Sequence, residues 1–258
     1  MESSLNELPN GMILLSTKMG SDLLEGTSLK KNSIVDFFKN QTGRSNCGLA
    51  SLSLIINAIN AYRVKISDPN LSEEEYLELE AKMNKGEPLH LDEFDVINHG
   101  AVKDYIKAAD VEKNGLTLLE LKHIAMLLGY GVNTHFAYNE NLEIGKEKRS
   151  ELMKMVEENS DCFLIKTPQE LKEFISSYIS RPVTGLILNY DMKKVGYKEL
   201  FGHHSPIAAI NQDSVLVMDV WVDTDPVWVD YKSVFDAACS FDDASGLPRG
   251  LLHIFELL

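Results

Sequence analysis

The chain has 258 residues, 44% of them hydrophobic and 25% charged, which are ordinary globular values and enough for one sizeable core. Its 25 Lys+Arg against 39 Asp+Glu give a net charge of −14, a field that repels polyanions and offers no general affinity for nucleic acid or anionic lipid. No window approaches the roughly 18 consecutive apolar residues of a membrane-spanning helix, and the three cysteines, Cys47, Cys162 and Cys239, form no CxxC and cannot all pair, which argues against a disulfide scaffold.

The start of the chain is acidic, with only the short apolar run Met12-Ile13-Leu14-Leu15, so neither a signal peptide nor an anchor is read there. The expectation is a single soluble domain over residues 1–258 in a reducing, cytoplasmic compartment. From Cys47 to Tyr62, Leu49, Leu52, Leu54, Ile55, Ile56 and Ile59 make an apolar face wide enough for a central core helix, and Gly43, Ser45 and Asn46 supply turn and cap chemistry before it. Residues from about Ser67 to Gly100 are polar and acidic, with Leu71, Tyr76, Leu79 and Met83 only loosely periodic, and read as a surface excursion. Thr117 and the apolar positions from Leu118 to Leu128, closed by Gly129, predict a capped helix. A second is predicted near Thr167 to Ser180, with Thr167 as cap and Pro168 in its first turn.

Beyond residue 180 the pattern changes to β-type runs, Val183–Tyr190, Ser205–Ile210, Ser214–Val220, Val227–Val229 and Leu251–Phe255, which predict an antiparallel sheet. Helices over about 1–180 and strands over about 181–258 make an α+β chain that sets the helix bearing Cys47 against the sheet bearing the histidines.

That layout bears on chemistry. At the first turn of a buried helix the macrodipole and unpaired amides favour a thiolate, so Cys47 is placed as a nucleophile; read by itself it is equally a small buried apolar side chain. A thiolate nucleophile needs a general base and a group to orient that base, and the order Cys…His…Asp is the one papain-like folds use. His203 and His204 open the strand that begins at Ser205, and Asp219 ends the next one; a hairpin of that size brings His203 beside Asp219, which would fix the imidazole tautomer. The remaining histidines, His90, His99, His123, His135 and His253, read as structural or surface residues. Gln41, six residues before Cys47, is close enough for its amide to join the Cys47 backbone N–H at one oxyanion.

These residues carry a family resemblance. Gln41-Thr-Gly-Arg-Ser-Asn-Cys47-Gly-Leu-Ala-Ser-Leu-Ser, Gly202-His203-His204-Ser205-Pro206-Ile207, Met218-Asp219-Val220 and Pro226-Val227-Trp228-Val229 resemble the phytochelatin synthase catalytic domain, from about Met12 to the C-terminus. The resemblance implies a papain-like fold and a dipeptidyl transferase. A cysteine attacks the Cys–Gly amide of glutathione, releases glycine, and passes the γ-Glu-Cys thioester to a second glutathione or to water. Carried over, Cys47 is the nucleophile, His203 the acid/base, Asp219 its orienter and Gln41 the oxyanion donor; His204 falls at a position usually aromatic in the family. Asp242 and Arg249 match a pair that holds the amino and carboxylate groups of the γ-glutamyl moiety, a chemistry that suits one anion and one bidentate guanidinium.

Two departures stand out. Asn46 replaces an aromatic, and Trp221-Val222-Asp223-Thr224-Asp225 precedes Pro226 where the family tends to carry a basic residue. Without the cysteine-rich C-terminal domain of the plant enzymes, the chain resembles the prokaryotic members, for which glutathione hydrolysis is the main expected activity. No cofactor and no protein-bound metal are expected, heavy-metal ions acting through metal–glutathione thiolates. Glutathione is the expected partner, and a homodimer is compatible with the sequence. Two alternatives stay open: a peptidase or amidase of the same clan acting on another peptide or γ-glutamyl compound, and a non-catalytic interaction protein.

Overall fold

The computed structural model describes residues 11–67, 91–198 and 201–257. In chain order its elements are β1 (Ile13–Leu14), α1 (Lys18–Gly26), α2 (Asn32–Asp36), α3 (Cys47–Ser67), α4 (Glu93–Asn98), α5 (Gly100–Tyr105), α6 (Ala108–Asn114), α7 (Leu118–Leu127), β2 (Tyr130–Ala137), α8 (Lys146–Glu158), β3 (Cys162–Ile165), α9 (Pro168–Tyr178), β4 (Thr184–Asp191), β5 (Gly202–Ile210), β6 (Ser214–Val217), β7 (Val227–Asp230), α10 (Tyr231–Ala238), β8 (Phe241–Asp242), β9 (Leu247–Pro248) and β10 (Gly250–Glu256). The fold class is α+β. Among the described residues no helix is long and apolar enough to cross a membrane.

Eight strands form one sheet in the order β1-β7-β6-β5-β4-β10-β2-β3. Every pairing is antiparallel except β2 with β3. Strand alternation sends Ile187, Ala208, Leu252 and Ile254 into one core with α3 and α7, and Leu186, Leu188, Leu251 and Val217 into a second with α9 and α10. The sheet is therefore covered on both faces, which is why its strands read as near-continuous apolar runs. Helix α3 lies close against β4 because Gly185 has no side chain; a Cβ there would sit 2.5 Å from Ile55 Cγ2. The predicted caps are present, with Thr117 accepting from the Glu120 N–H at the head of α7 and Thr167 accepting from the Glu170 N–H at the head of α9.

Two expectations change. The stretch up to residue 180, read as helical, also contains β1, β2 and β3. In β2 the run Asn133-Thr134-His135 interrupts the apolar alternation with polar residues, so the strand is stabilised by pairing with β10 rather than announced by hydropathy. Residues 68–90 of the predicted excursion lie outside the described residues. Its described end is not a surface excursion: Val96 and Ile97 are buried, and the Asn57 amide of α3 clasps Leu91 by donating to its carbonyl at 2.9 Å and accepting its N–H at 2.8 Å. This end of the sheet, where β4 stops, β5 starts and α3 begins, gathers the chemically competent side chains.

Candidate active site

Cys47 is the first residue of α3 and is 7% exposed. The carbonyl of Asn46 accepts the Ala50 N–H at 2.9 Å, so the thiol sits on the first turn, where the leading backbone amides have no helical partner. Burial opposes a thiolate here. The charge of the neighbouring His203, with the hydrogen bond from His204, outweighs it and holds the Cys47 pKa well below the ordinary thiol value.

His203 and His204 stand side by side at the start of β5, and alternation sends them to different neighbours. His203, paired with Tyr190 across the ladder, donates its Nε2–H to Asp219 Oδ1 at 3.0 Å; both side chains are 0% exposed. The same carboxylate oxygen accepts the Trp221 N–H at 3.0 Å, so its lone pairs are fixed from two sides. The His203 ring lies between two aromatic rings in edge-to-face contact, Tyr190 at 5.6 Å and Trp221 at 5.9 Å. Burial alone would push its pKa down, but the negative charge of Cys47 and the Asp219 hydrogen bond raise it to about 10. Asp219 is held down in turn: burial raises it, and the His203 hydrogen bond and charge more than offset that.

His204 also reaches the thiol, with Nδ1 3.8 Å from Cys47 Sγ. Its other nitrogen, Nε2, lies 3.0 Å from Asn189 Nδ2, and its carbonyl accepts from the Ser51 hydroxyl of α3 at 3.0 Å.

The loop before Cys47 is braced at both ends. Gln41 accepts no solvent, being 2% exposed; its N–H donates to the Val220 carbonyl at 2.6 Å and its side-chain Nε2 to Gly43 O at 2.6 Å. One amide N–H of Gln41 is thus spent inside the loop, and the other remains available. Glu93, from the head of α4 and 5% exposed, accepts from the Thr42 N–H, the Thr42 hydroxyl and the Asn46 side-chain amide, the last at 2.8 Å. Sequence reasoning missed Glu93 altogether. The Asp92-x-x-Asp95 capping box around it marks a helix start and was the signal available, though nothing in it announces that Glu93 turns inward.

The family model described as phytochelatin synthase matches residues 4–251. The chain belongs to that family. Among solved structures, the peptidase domain of Streptococcus ComA, a bi-functional ABC transporter involved in a quorum-sensing pathway, aligns with 10% identity over 85% of this chain and 98% of that one. Its TM-score is 0.40. No curated protein matches.

In this member of the phytochelatin synthase family, Asp242 and Arg249 face each other across the short β8–β9 hairpin with an Nη1–Oδ1 distance of 3.1 Å. Arg249 lies directly on Gly202, the residue before His203: a Cβ there would sit 2.1 Å from Arg249 Nη1. Glycine at 202 is what lets the guanidinium lie against the start of β5. The departures from the family pattern also find their partners. Asn46 is occupied by Glu93, and the Trp221 carbonyl accepts from the Asn40 side chain at 2.5 Å, which ties the 221–226 loop to the one preceding Cys47. Among the described residues no cluster of three or more His, Cys, Asp or Glu side chains is arranged to hold a metal ion.

Proposed function

We propose that the chain is a glutathione γ-glutamylcysteine dipeptidyltransferase and hydrolase that works through a thioester on Cys47. The observation that carries the reading is one imidazole serving two partners. His203 spends Nε2 on Asp219 and couples its charge to Cys47, with its pKa raised while that of the thiol is lowered. The result is a thiolate–imidazolium pair, a nucleophile with its proton parked beside it.

The thiolate attacks the carbonyl carbon of the Cys–Gly amide. The developing oxyanion is met by the free N–H of Gln41 and the backbone N–H of Cys47. The His203 imidazolium then gives its proton to the glycine nitrogen, the C–N bond breaks, and γ-Glu-Cys remains as a thioester. Neutral His203 next takes a proton from the attacking water, giving free γ-Glu-Cys, or from the amino group of a second glutathione, giving the longer peptide. Asp219 keeps the ring in the productive tautomer throughout.

The α-carboxylate of the γ-glutamyl end suits Arg249 and its α-amino group suits Asp242. Heavy-metal ions enter as metal–glutathione thiolates acting as acceptors. Asp223 and Asp225, exposed where the family tends to carry a basic residue, disfavour an anionic acceptor, so water competes at least evenly with a second glutathione. Incubation with glutathione, followed by mass spectrometry, is expected to yield glycine, γ-Glu-Cys and a smaller amount of longer thiol peptide, all lost in Cys47→Ala. Absence of product from the wild type, or undiminished product from Cys47→Ala, would sink the proposal. Turnover of another γ-glutamyl compound but not glutathione would transfer it to an amidase reading.

A further inference from the structure

We propose that His204 is a second catalytic imidazole, a neutral Nδ1–H donor to the Cys47 sulfur that Asn189 holds in that tautomer. The inference rests on Cys47 being the acyl-transfer nucleophile, and it concerns a residue that the transfer mechanism above does not use.

The argument starts from Asn189, which is 2% exposed and sits directly across the β4–β5 ladder from His204. Which way an amide points is decided by its neighbours. The Asn189 Nδ2 lies 3.3 Å from the His203 carbonyl, a group that can only accept, so the NH2 end must face it. That same NH2 is 3.0 Å from His204 Nε2, which must therefore present a lone pair. A ring with a lone pair on Nε2 is neutral and carries its one N–H on Nδ1, the nitrogen 3.8 Å from the thiol. The Ser51 hydroxyl, bonded to the His204 carbonyl, ties this residue to α3, the helix that carries Cys47.

Two histidines thus approach one sulfur with different tasks. His203, backed by a carboxylate, exchanges the proton; His204, backed by an amide that can only donate to it, keeps its proton and lends a hydrogen bond. Asp219 from the loop after β6 acts through His203 and Tyr197 through Asp219; the Tyr190 phenol of β4, beside Ser205, is held protonated by burial and the charge of Asp219; and residues 48–61 of α3 include no titratable group. Arg44 in the preceding loop is exposed, and Glu93 is occupied by Thr42 and Asn46.

A hydrogen bond to sulfur is stronger when the sulfur is charged. It favours the thiolate over both the thiol and the thioester, so it eases departure of the sulfur when the acyl group leaves, at a small cost to its nucleophilicity. No proton moves through His204 in either half-reaction.

The test uses the full chain without substrate, so its outcome is independent of whether glutathione is the acyl donor. The rate of Cys47 alkylation by iodoacetamide is measured against pH in wild type, His204→Phe and Asn189→Leu, with circular dichroism checking the fold of each. In His204→Phe the midpoint is expected to rise by about one pH unit, the scale of one hydrogen bond to a charged group. The limiting rate per thiolate is expected to rise by roughly threefold per unit. In Asn189→Leu a smaller rise is expected. Imidazole nitrogen NMR of the wild type is expected to show His204 protonated on Nδ1 only. An unchanged midpoint in folded His204→Phe, or an Nε2–H tautomer in the wild type, overturns the proposal; if His204→Phe does not fold, the tautomer and the Asn189→Leu midpoint decide it.

Discussion

His203 and the pair His135 and His253 are buried on one sheet and behave in opposite ways. At the start of β5, His203 is 0% exposed, yet its pKa is raised to about 10, because Cys47 and Asp219 bring negative charge that outweighs burial. On β2 and β10, His135 and His253 are 8% and 5% exposed and pack against rings: Phe163 and Phe174 lie 4.9 and 4.0 Å from His135, and Tyr178 lies 4.0 Å from His253. Neither nitrogen of His253 has a hydrogen-bond partner. Burial, followed by the charge of His253, pushes His135 down to about 3; burial, followed by the charges of Arg181 and Lys31, pushes His253 down to about 4. The most buried ring is thus the one most ready to carry a proton. Burial sets the cost of a charge, and the partner decides whether that cost is met.

Removing the partner is the most direct way to break the contrast. Asp219→Asn keeps the shape and takes the charge, and it is expected to lower the rate of glycine release from glutathione on the order of 10³-fold. The carboxylate helps His203 hold its proton, so its loss lowers the His203 pKa and moves the alkaline limb of the pH–rate profile downward. A profile with an unmoved limb would mean that Cys47 alone sets the His203 pKa.

The cysteines offer a second comparison within the same chain. Cys162 and Cys239 are buried without an imidazole, and burial pushes both pKa values up. At pH 6 an ordinary thiol is ionised about one part in 300, so iodoacetamide should label Cys47 and leave the other two untouched, as peptide mapping would read. Equal labelling of all three would remove the distinction drawn between the two regions.

The aromatic pair makes its prediction in stability. Both rings are neutral when folded and take up protons near pH 6.5 when unfolded, so the unfolded state binds more protons as pH falls below that value and stability drops with it. At pH 5 each costs about 2 kcal/mol relative to neutral pH. Replacing His135 or His253 with leucine should flatten this acid loss in urea unfolding between pH 7 and 5. A variant that loses stability with the parent's slope would show that these rings do not set it.

The helix that carries Cys47 was legible because its signal is local: six apolar residues on one face and a turn before them. His203 and Asp219 were legible because a short hairpin has few registers, and the observed Nε2–Oδ1 contact follows from that geometry. Strand β2 was not, because Asn133, Thr134 and His135 are tolerated only by what β10 and α9 place around them. Glu93 and the pairing of His204 were hidden for the same reason. Their meaning lies in Thr42, Asn46 and Asn189, partners that sequence separation does not announce. For Gln41 the spacing to Cys47 put it in the right loop, but its bond to the Gly43 carbonyl depends on loop conformation that spacing does not encode.

Glu93 supplies the smallest and sharpest test, because it separates charge from hydrogen-bond count. Like Asp219 it is a buried carboxylate, but its donors, Thr42 and Asn46, are neutral, so no proton transfer depends on it. Glu93→Gln keeps one acceptor oxygen and turns the other into a donor, leaving one contact unmade at a cost of about 1 kcal/mol in urea unfolding. The loop bearing Gln41 should loosen, lowering kcat a few-fold while KM for glutathione and the pH limbs stay where they are. The same isosteric change at Asp219 should move a limb. If Glu93→Gln moves one too, the carboxylate at 93 acts on Cys47 and His203 through its charge, and the separation between a brace and a charge partner at this site fails.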